Sequence, residues 1–307
     1  MTPFSNQPRI LVVTPEVAFI PGGMRIIDGD INALKRDFAD YLADLIGALF
    51  NQGVDVHVAQ PDYRRIFLNL LQNKQNITYG GLPDARVHFT EDRVFYYSNP
   101  IDSNYEWENI KISIAFQREV INQIIPLVQP DLIHCYHWMT GLIPAVARQL
   151  SIPCLFTVNN IHSAKSSLSY IEDLGIDAAK FWKNLYYEQF PTSYEETREA
   201  NPADFLLSGV FAAHFVNADS PTLPMDTAED RGTFFNESLR QALTHKWRAG
   251  CTATFNHSVN AQQYIDLYER MLKRPITNIK RGTFRFHSDS VFHRKGLNRT
   301  LSKGKAA

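Results

Sequence analysis

The stretch from Asp131 to Ser163, DLIHCYHWMTGLIPAVARQLSIPCLFTVNNIHS, narrows the possible folds more than any other part of the chain. Its apolar runs Leu132–Cys135 and Pro153–Val158 predict two buried strands, and the periodic segment Gly141–Leu150 predicts a helix between them. A strand, a crossover helix and a second strand pair in parallel, so the chain is expected to be α/β. Tyr136-His137-Trp138 and Asn159-Asn160-Ile161-His162 then follow the C-terminal ends of these strands, where open parallel sheets take their ligands.

Elsewhere the pattern continues. Arg9–Val13 is an apolar run without alternation, as in a strand covered on both faces. Phe38, Leu42, Leu45, Ile46 and Leu49 recur at helical spacing, Asn51-Gln52-Gly53 supplies a stop, and Val54, Val56 and Val58 mark a second strand. Ala18–Asn32 carries turn signals and reads as a loop. Val87–Phe89 and Val94–Tyr97 look strand-like, and Ile112–Val128 looks helical up to Pro130. Asn201-Pro202 offers an N-cap and first turn for a helix reaching His214, followed by a strand at Phe215–Asn217. Leu168–Thr197 reads as a helical insertion whose rings, Trp182, Tyr186, Tyr187 and Phe190, are expected in the core or at an interface rather than on a sugar.

With these motifs in place, the segments PDLIHCYHWMTGLIPA and IPCLFTVNNIH resemble the N-terminal catalytic domain of bacterial glycogen and plant starch synthases, glycosyltransferase family 5. Arg9–Val17, Gly53–Arg64, Asn201–Asn217 and Gln262–Leu272 agree with the family in the same order. The resemblance implies a Rossmann-like parallel sheet, the N-terminal half of a GT-B glycosyltransferase. It also implies the family reaction, glucosyl transfer from ADP- or UDP-glucose to an α-1,4-glucan, with no cofactor and no metal.

The family's Lys-x-Gly-Gly-Leu-Ala-Asp turn brings backbone amides close to an anionic nucleotide-sugar, which glycine permits. Aligned on Leu34–Asp40, it makes Lys35 and Asp40 substrate-binding candidates, but Arg36 and Asp37 replace the glycines. Aligned on Pro21-Gly22-Gly23-Met24 it keeps the glycines and puts Ile20 in the lysine's place. At the strand ends, His137 occupies the family's aspartate position and Asn159 its active-site histidine. Trp138, Thr140, Gly141 and Asn160 fall on the neighbouring substrate-binding positions. An asparagine cannot carry a proton through a transition state, so catalysis is expected to be impaired. For His137 two readings stand, a residual role in the site and a solvated loop imidazole.

The match to the N-terminal domain ends near Lys246–Cys251, and Gln262–Leu272 resembles the family's last helix, so the second, donor-binding domain is expected to be missing. The expected division is a synthase-like domain at 1–251, a junction and returning helix at 252–274, and a basic tail at 275–307. Tyr264, Leu267, Tyr268, Met271 and Leu272 give that helix an apolar face. Partners implied by the resemblance are α-glucan and nucleotide-sugar, with association to itself or to a full-length synthase through the uncovered face. An alternative reading is a non-catalytic glucan-binding or synthase-partner protein.

Composition sets the remaining bounds. With 44% hydrophobic and 21% charged residues, the chain has the make-up of a globular protein. No membrane span or signal peptide is expected, which makes cytoplasm the default. Cys135, Cys154 and Cys251 lack the spacing of a zinc site or a disulfide framework, and all three read as packed or free thiols. The net charge of −1 hides an asymmetry: Lys273–Ala307 holds ten Lys or Arg against Asp289 alone, a net of +9 that leaves −10 for the rest. Such a tail could bind an anionic polymer, but a solvated, disordered terminus is the plainer reading, and nucleic acid is not an expected partner.

Overall fold

The computed structural model describes residues 7–15, 33–62, 82–97, 106–159, 162–218 and 257–273. In chain order the main elements are β1 (Arg9–Val13), α1 (Ala33–Asn51), β2 (Asp55–Pro61), β3 (Val87–Thr90), α2 (Arg93–Tyr97), α3 (Glu106–Glu119), α4 (Ile125–Val128), β4 (Leu132–Tyr136), α5 (Ile143–Gln149) and β5 (Cys154–Val158). They continue with β6 (Lys165–Ser166), α6 (Leu168–Asp173), α7 (Tyr194–Ala200), β7 (Ala203–Asp204), α8 (Phe205–Ala212), β8 (Phe215–Ala218) and α9 (His257–Leu272). Six strands form one sheet in the order β3-β2-β1-β4-β5-β8, and every pair in it is parallel. This is the expected α/β arrangement, with the strand order reversing between β1 and β4.

Both faces of the sheet are covered, which is why its strands read as unbroken apolar runs. One face carries Leu11, Val13, Ile133, Cys135, Phe156 and Val216 against α3, α5 and α8. The other carries Ile10, Val12, Val56, Val58, Leu132 and Leu155 against α1 and α9. In α1, Leu42, Leu45, Ile46 and Leu49 share one buried stripe, and Gly53 closes the turn after it at φ 90°. In α9 the stripe is Ala261, Tyr264, Leu267, Tyr268 and Met271. A π turn over Val120–Ile124 joins α3 to α4, where Pro126 cannot donate a backbone hydrogen bond. Gln129, left-handed at φ 51°, stops the helix ahead of Pro130.

A polar cluster holds the opposite edge of the sheet. Buried Asp55 pairs with Arg9 at 3.2 Å and with Arg86, joining β1, β2 and the turn before β3. Beside it His57 Nδ1 and His88 Nε2 share a hydrogen bond at 2.9 Å. Arg9 also donates to the Val128 carbonyl at 2.6 Å, so the cluster fixes the end of α4.

Three local expectations change. Val94–Tyr97 is helical because Asp92 caps it: its carboxylate accepts from the Val94 amide at 2.8 Å and its carbonyl from Phe95 at 3.1 Å. The helix before β8 starts at Phe205, not at Asn201-Pro202, with Asp204 as its N-cap accepting from the Leu207 amide. Asn201 instead pairs with both backbone groups of Gln189. The insertion at Leu168–Thr197 is two short helices, α6 and α7, separated by 3-10 turns. Its Tyr186 and Tyr187 are core residues, whereas Phe190 is exposed. Cys135 and Cys154 are buried free thiols 3.9 Å apart. Pro21–Met24, Asn160, Cys251 and residues 274–307 lie outside the described residues, and no described helix is long and apolar enough to cross a membrane.

Candidate functional site

The turn leaving β4 is an unusual piece of backbone. His137 stands at φ 73° and ψ 150°, a region that residues other than glycine rarely occupy. Neighbours hold it there. The Thr140 hydroxyl donates to the carbonyls of Tyr136 at 3.0 Å and His137 at 2.9 Å, and the His137 amide donates across to the Thr157 carbonyl on β5 at 3.4 Å. The His137 ring is only 4% exposed, and its Nδ1 accepts from the Met139 amide at 3.4 Å. His137 is thus packed rather than solvated, which removes one of its two sequence readings.

Trp138–Thr140 form a 3-10 turn, capped by Gly141, that carries the chain from the strand into α5. Trp138 is buried between the rings of His137, Phe205 and His162, with its centroid 5.5 Å from that of His162 and the planes edge-on. Gly141 has no room for a side chain: a Cβ there would overlap the carbonyl oxygen of Phe205. Thr140 and Gly141 therefore shape the turn from beneath it.

Asn159 lies directly past β5, partly buried, and its side-chain oxygen has no hydrogen-bond partner among the described residues. A buried amide oxygen without a donor is costly, so it is suited to receiving one from a ligand. The structure brings His137, Trp138, Thr140, Gly141 and Asn159 to adjoining strand ends. Lys35 and Asp40 lie in the first turns of α1, where their side chains are outside the described residues, as is Asn160.

Sequence reasoning named His162, which is exposed and set against Trp138, within the strand-end motif but gave it no role of its own. It also gave no role to Ser163, whose hydroxyl donates to Asp204 at 2.6 Å and accepts from the Leu206 amide, fastening the loop to the start of α8. Nor did it single out His134. That residue is fully buried, bonded through Nδ1 to the Tyr268 hydroxyl at 2.7 Å and through Nε2 to the Thr157 hydroxyl at 2.8 Å. Burial pushes its pKa down to about 3, so the ring is neutral. No group of three His, Cys, Asp or Glu able to hold a metal occurs among the described residues.

A site at the C-terminal strand ends of a 3-2-1-4-5-8 sheet fits several nucleotide- and sugar-handling families, and comparison with known proteins separates them. The starch synthase catalytic domain family matches residues 37–244. A glycogen synthase of Halalkalibacterium halodurans is 30% identical over 148 residues, 40% of this chain and 30% of that protein. A glycogen synthase of Lachnoclostridium phytofermentans is 20% identical over 294 residues, 87% of this chain. The chain spans 58% of that second protein, less than two thirds of its length. The solved catalytic domain of starch synthase IV from Arabidopsis thaliana, bound to ADP and acarbose, superposes with a TM-score of 0.54 at 15% identity, over 80% of this chain and 50% of that one, and so shares the fold. Because the family match takes in well over half of its residues, the chain belongs to the starch synthase catalytic domain family.

Proposed function

We propose that this chain is a glycogen or starch synthase-like glycosyltransferase domain that binds an α-glucan at the ends of β4 and β5 and is impaired in glucosyl transfer. The observation that carries the reading is that His137 and Asn159 follow two adjoining parallel strands at the same end of the sheet. Where the family has an aspartate and a histidine, this crevice has a packed imidazole and an amide. Asn159 can accept a sugar hydroxyl through its unpartnered oxygen, but it cannot shuttle a proton. Loss of one transition-state contact commonly lowers kcat by about two to three orders of magnitude. The likeness to a structure holding ADP and acarbose supports a nucleotide-sugar and a glucan as the ligand classes. We also propose the division into a sheet domain at 1–251, a junction and returning helix at 252–274 and a tail at 275–307. The packing of α9 beside α1 supports its middle part.

The test is paired. Purified chain is titrated with maltoheptaose, and glucosyl transfer is assayed from ADP-glucose and UDP-glucose. Binding without transfer is the expected result. Transfer from either donor would overturn the impairment, and absence of glucan binding would overturn the site.

A further inference from the structure

We infer that Tyr268 is a positioning residue for the crevice, acting from α9 through His134 and Thr157 on the backbone of His137. The chain of contacts is continuous. The Tyr268 hydroxyl meets His134 Nδ1 at 2.7 Å, His134 Nε2 meets the Thr157 hydroxyl at 2.8 Å, and the carbonyl of the same Thr157 accepts from the His137 amide at 3.4 Å. Three elements, α9, β4 and β5, are thereby joined just below a backbone that only its surroundings keep at positive φ. All three side chains are buried, with Tyr268 3% exposed and His134 and Thr157 fully enclosed.

A neutral imidazole donates from one nitrogen and accepts at the other, so the roles of the Tyr268 and Thr157 hydroxyls are coupled through the ring, and removing the Tyr268 hydroxyl changes how Thr157 is held. Tyr136, Tyr264 and Tyr268 surround the ring, with centroids 4.2, 5.3 and 5.8 Å away. Among the described residues no charged group is a hydrogen-bond or ring neighbour of His134. A second tyrosine on the same helix, whose hydroxyl does not bond to His134, supplies a comparison. The Tyr264 hydroxyl accepts from the Asn217 amide on β8 at 2.9 Å, a hydrogen bond that bypasses His134 and reaches β5 only through the strand pairing of Asn217 with Thr157.

The experiment compares Tyr268→Phe with Tyr264→Phe in the full chain. Its readouts are imidazole 15N shifts of His134 and amide hydrogen exchange at Met139 and Thr140. Tyr268→Phe is expected to change the His134 tautomer signature and to speed exchange at the two amides about tenfold, the effect of one buried hydrogen bond. Tyr264→Phe, which keeps its ring beside His134 and removes no hydrogen bond to it, is expected to leave the His134 tautomer signature unchanged and to speed exchange at the two amides less than Tyr268→Phe does. Thr157→Val interrupts the chain from its other side, and its effect on the two amides should not add to that of Tyr268→Phe. Equal acceleration by both tyrosine variants would reduce Tyr268 to a packing residue and overturn the inference, as would unchanged exchange in Tyr268→Phe and Thr157→Val alike.

The inference rests on the glucan reading only for its consequence: Tyr268→Phe should also weaken maltoheptaose binding severalfold. If the unaltered chain takes up no maltoheptaose, the glucan reading fails, while the tautomer and exchange measurements still decide the positioning role.

Discussion

Gly141 sits against the backbone carbonyl of Phe205, so close that a β-carbon on the glycine would overlap the oxygen. The turn after β4 and the first residue of α8 are therefore packed backbone to backbone. Neither side can yield cheaply, since Phe205 follows the N-cap Asp204 and Gly141 follows the turn fixed by Thr140. Gly141→Ala is expected to destabilise the fold by about 3 kcal/mol, the upper range for overpacking a core. Urea denaturation measures it, and a change below about 0.5 kcal/mol would show that the two backbones separate freely.

Gln129 makes the opposite case. It is exposed, sits at φ 51° and ψ 60°, and ends α4. A β-carbon in this left-handed region costs about 1 kcal/mol relative to glycine. Gln129→Gly should accordingly raise stability by about 0.5 to 1 kcal/mol, less what the freer unfolded chain takes back. Thermal melting of the two proteins side by side is sufficient to read the sign.

These two residues also mark how far a sequence can be read. The strands were legible because β1, β4 and β5 are buried on both faces, and burial leaves an unbroken apolar run. The placing of His137 and Asn159 at adjoining strand ends followed, since each comes directly after such a run. What stayed hidden depends on contacts distant in sequence or on local capping. Val94–Tyr97 has the composition of a strand, and one carboxylate, Asp92, turns it into a helix. The positive φ of His137 leaves no trace in composition, because its stabilising partners are the Thr140 hydroxyl and a carbonyl on another strand. His134 and Tyr268 are far apart in the chain, and neither residue type announces a buried polar pair. Gly141 stood out as a site glycine, yet its lack of a side chain is fully accounted for by Phe205.

Asp55 carries the charge balance at the far edge of the sheet, being 5% exposed and paired with Arg9 and Arg86. Asp55→Asn keeps the shape and removes the charge that separates two guanidinium groups. The loss is expected to be about 2 kcal/mol, below the full cost of breaking a buried pair because Arg9 is 41% exposed. High salt should return part of it by screening the repulsion between the arginines. Denaturation at low and high sodium chloride checks both points, and a salt-independent loss would trace the effect to the lost hydrogen bonds instead.

Three imidazoles make stability depend on pH in a window of their own. Burial, with Arg9 adding to it for His57 and His57 for His88, lowers the pKa of both residues to about 4, and burial alone lowers that of His134 to about 3. His57 faces Asp55, Arg9 and Arg86, and His88 faces His57, while among the described residues His134 faces only hydroxyls and rings. An unfolded imidazole titrates near 6.5, so between that value and the folded pKa the unfolded chain binds more protons. Stability is then complete above about pH 6.5 and falls as pH drops towards 4, by at most about 4 kcal/mol per pH unit if all three groups contribute. Carboxylates change little above about pH 5, which leaves the upper part of the window to histidine. Urea midpoints at pH 7.5, 6.5, 5.8 and 5.2 should decline throughout the lower three. His88→Gln removes one of the three protons and should flatten the slope by up to about 1.4 kcal/mol per pH unit. A flat profile from pH 7.5 to 5.2 would mean that these rings accept protons within the folded state, and that the His57–His88 pair opens to water.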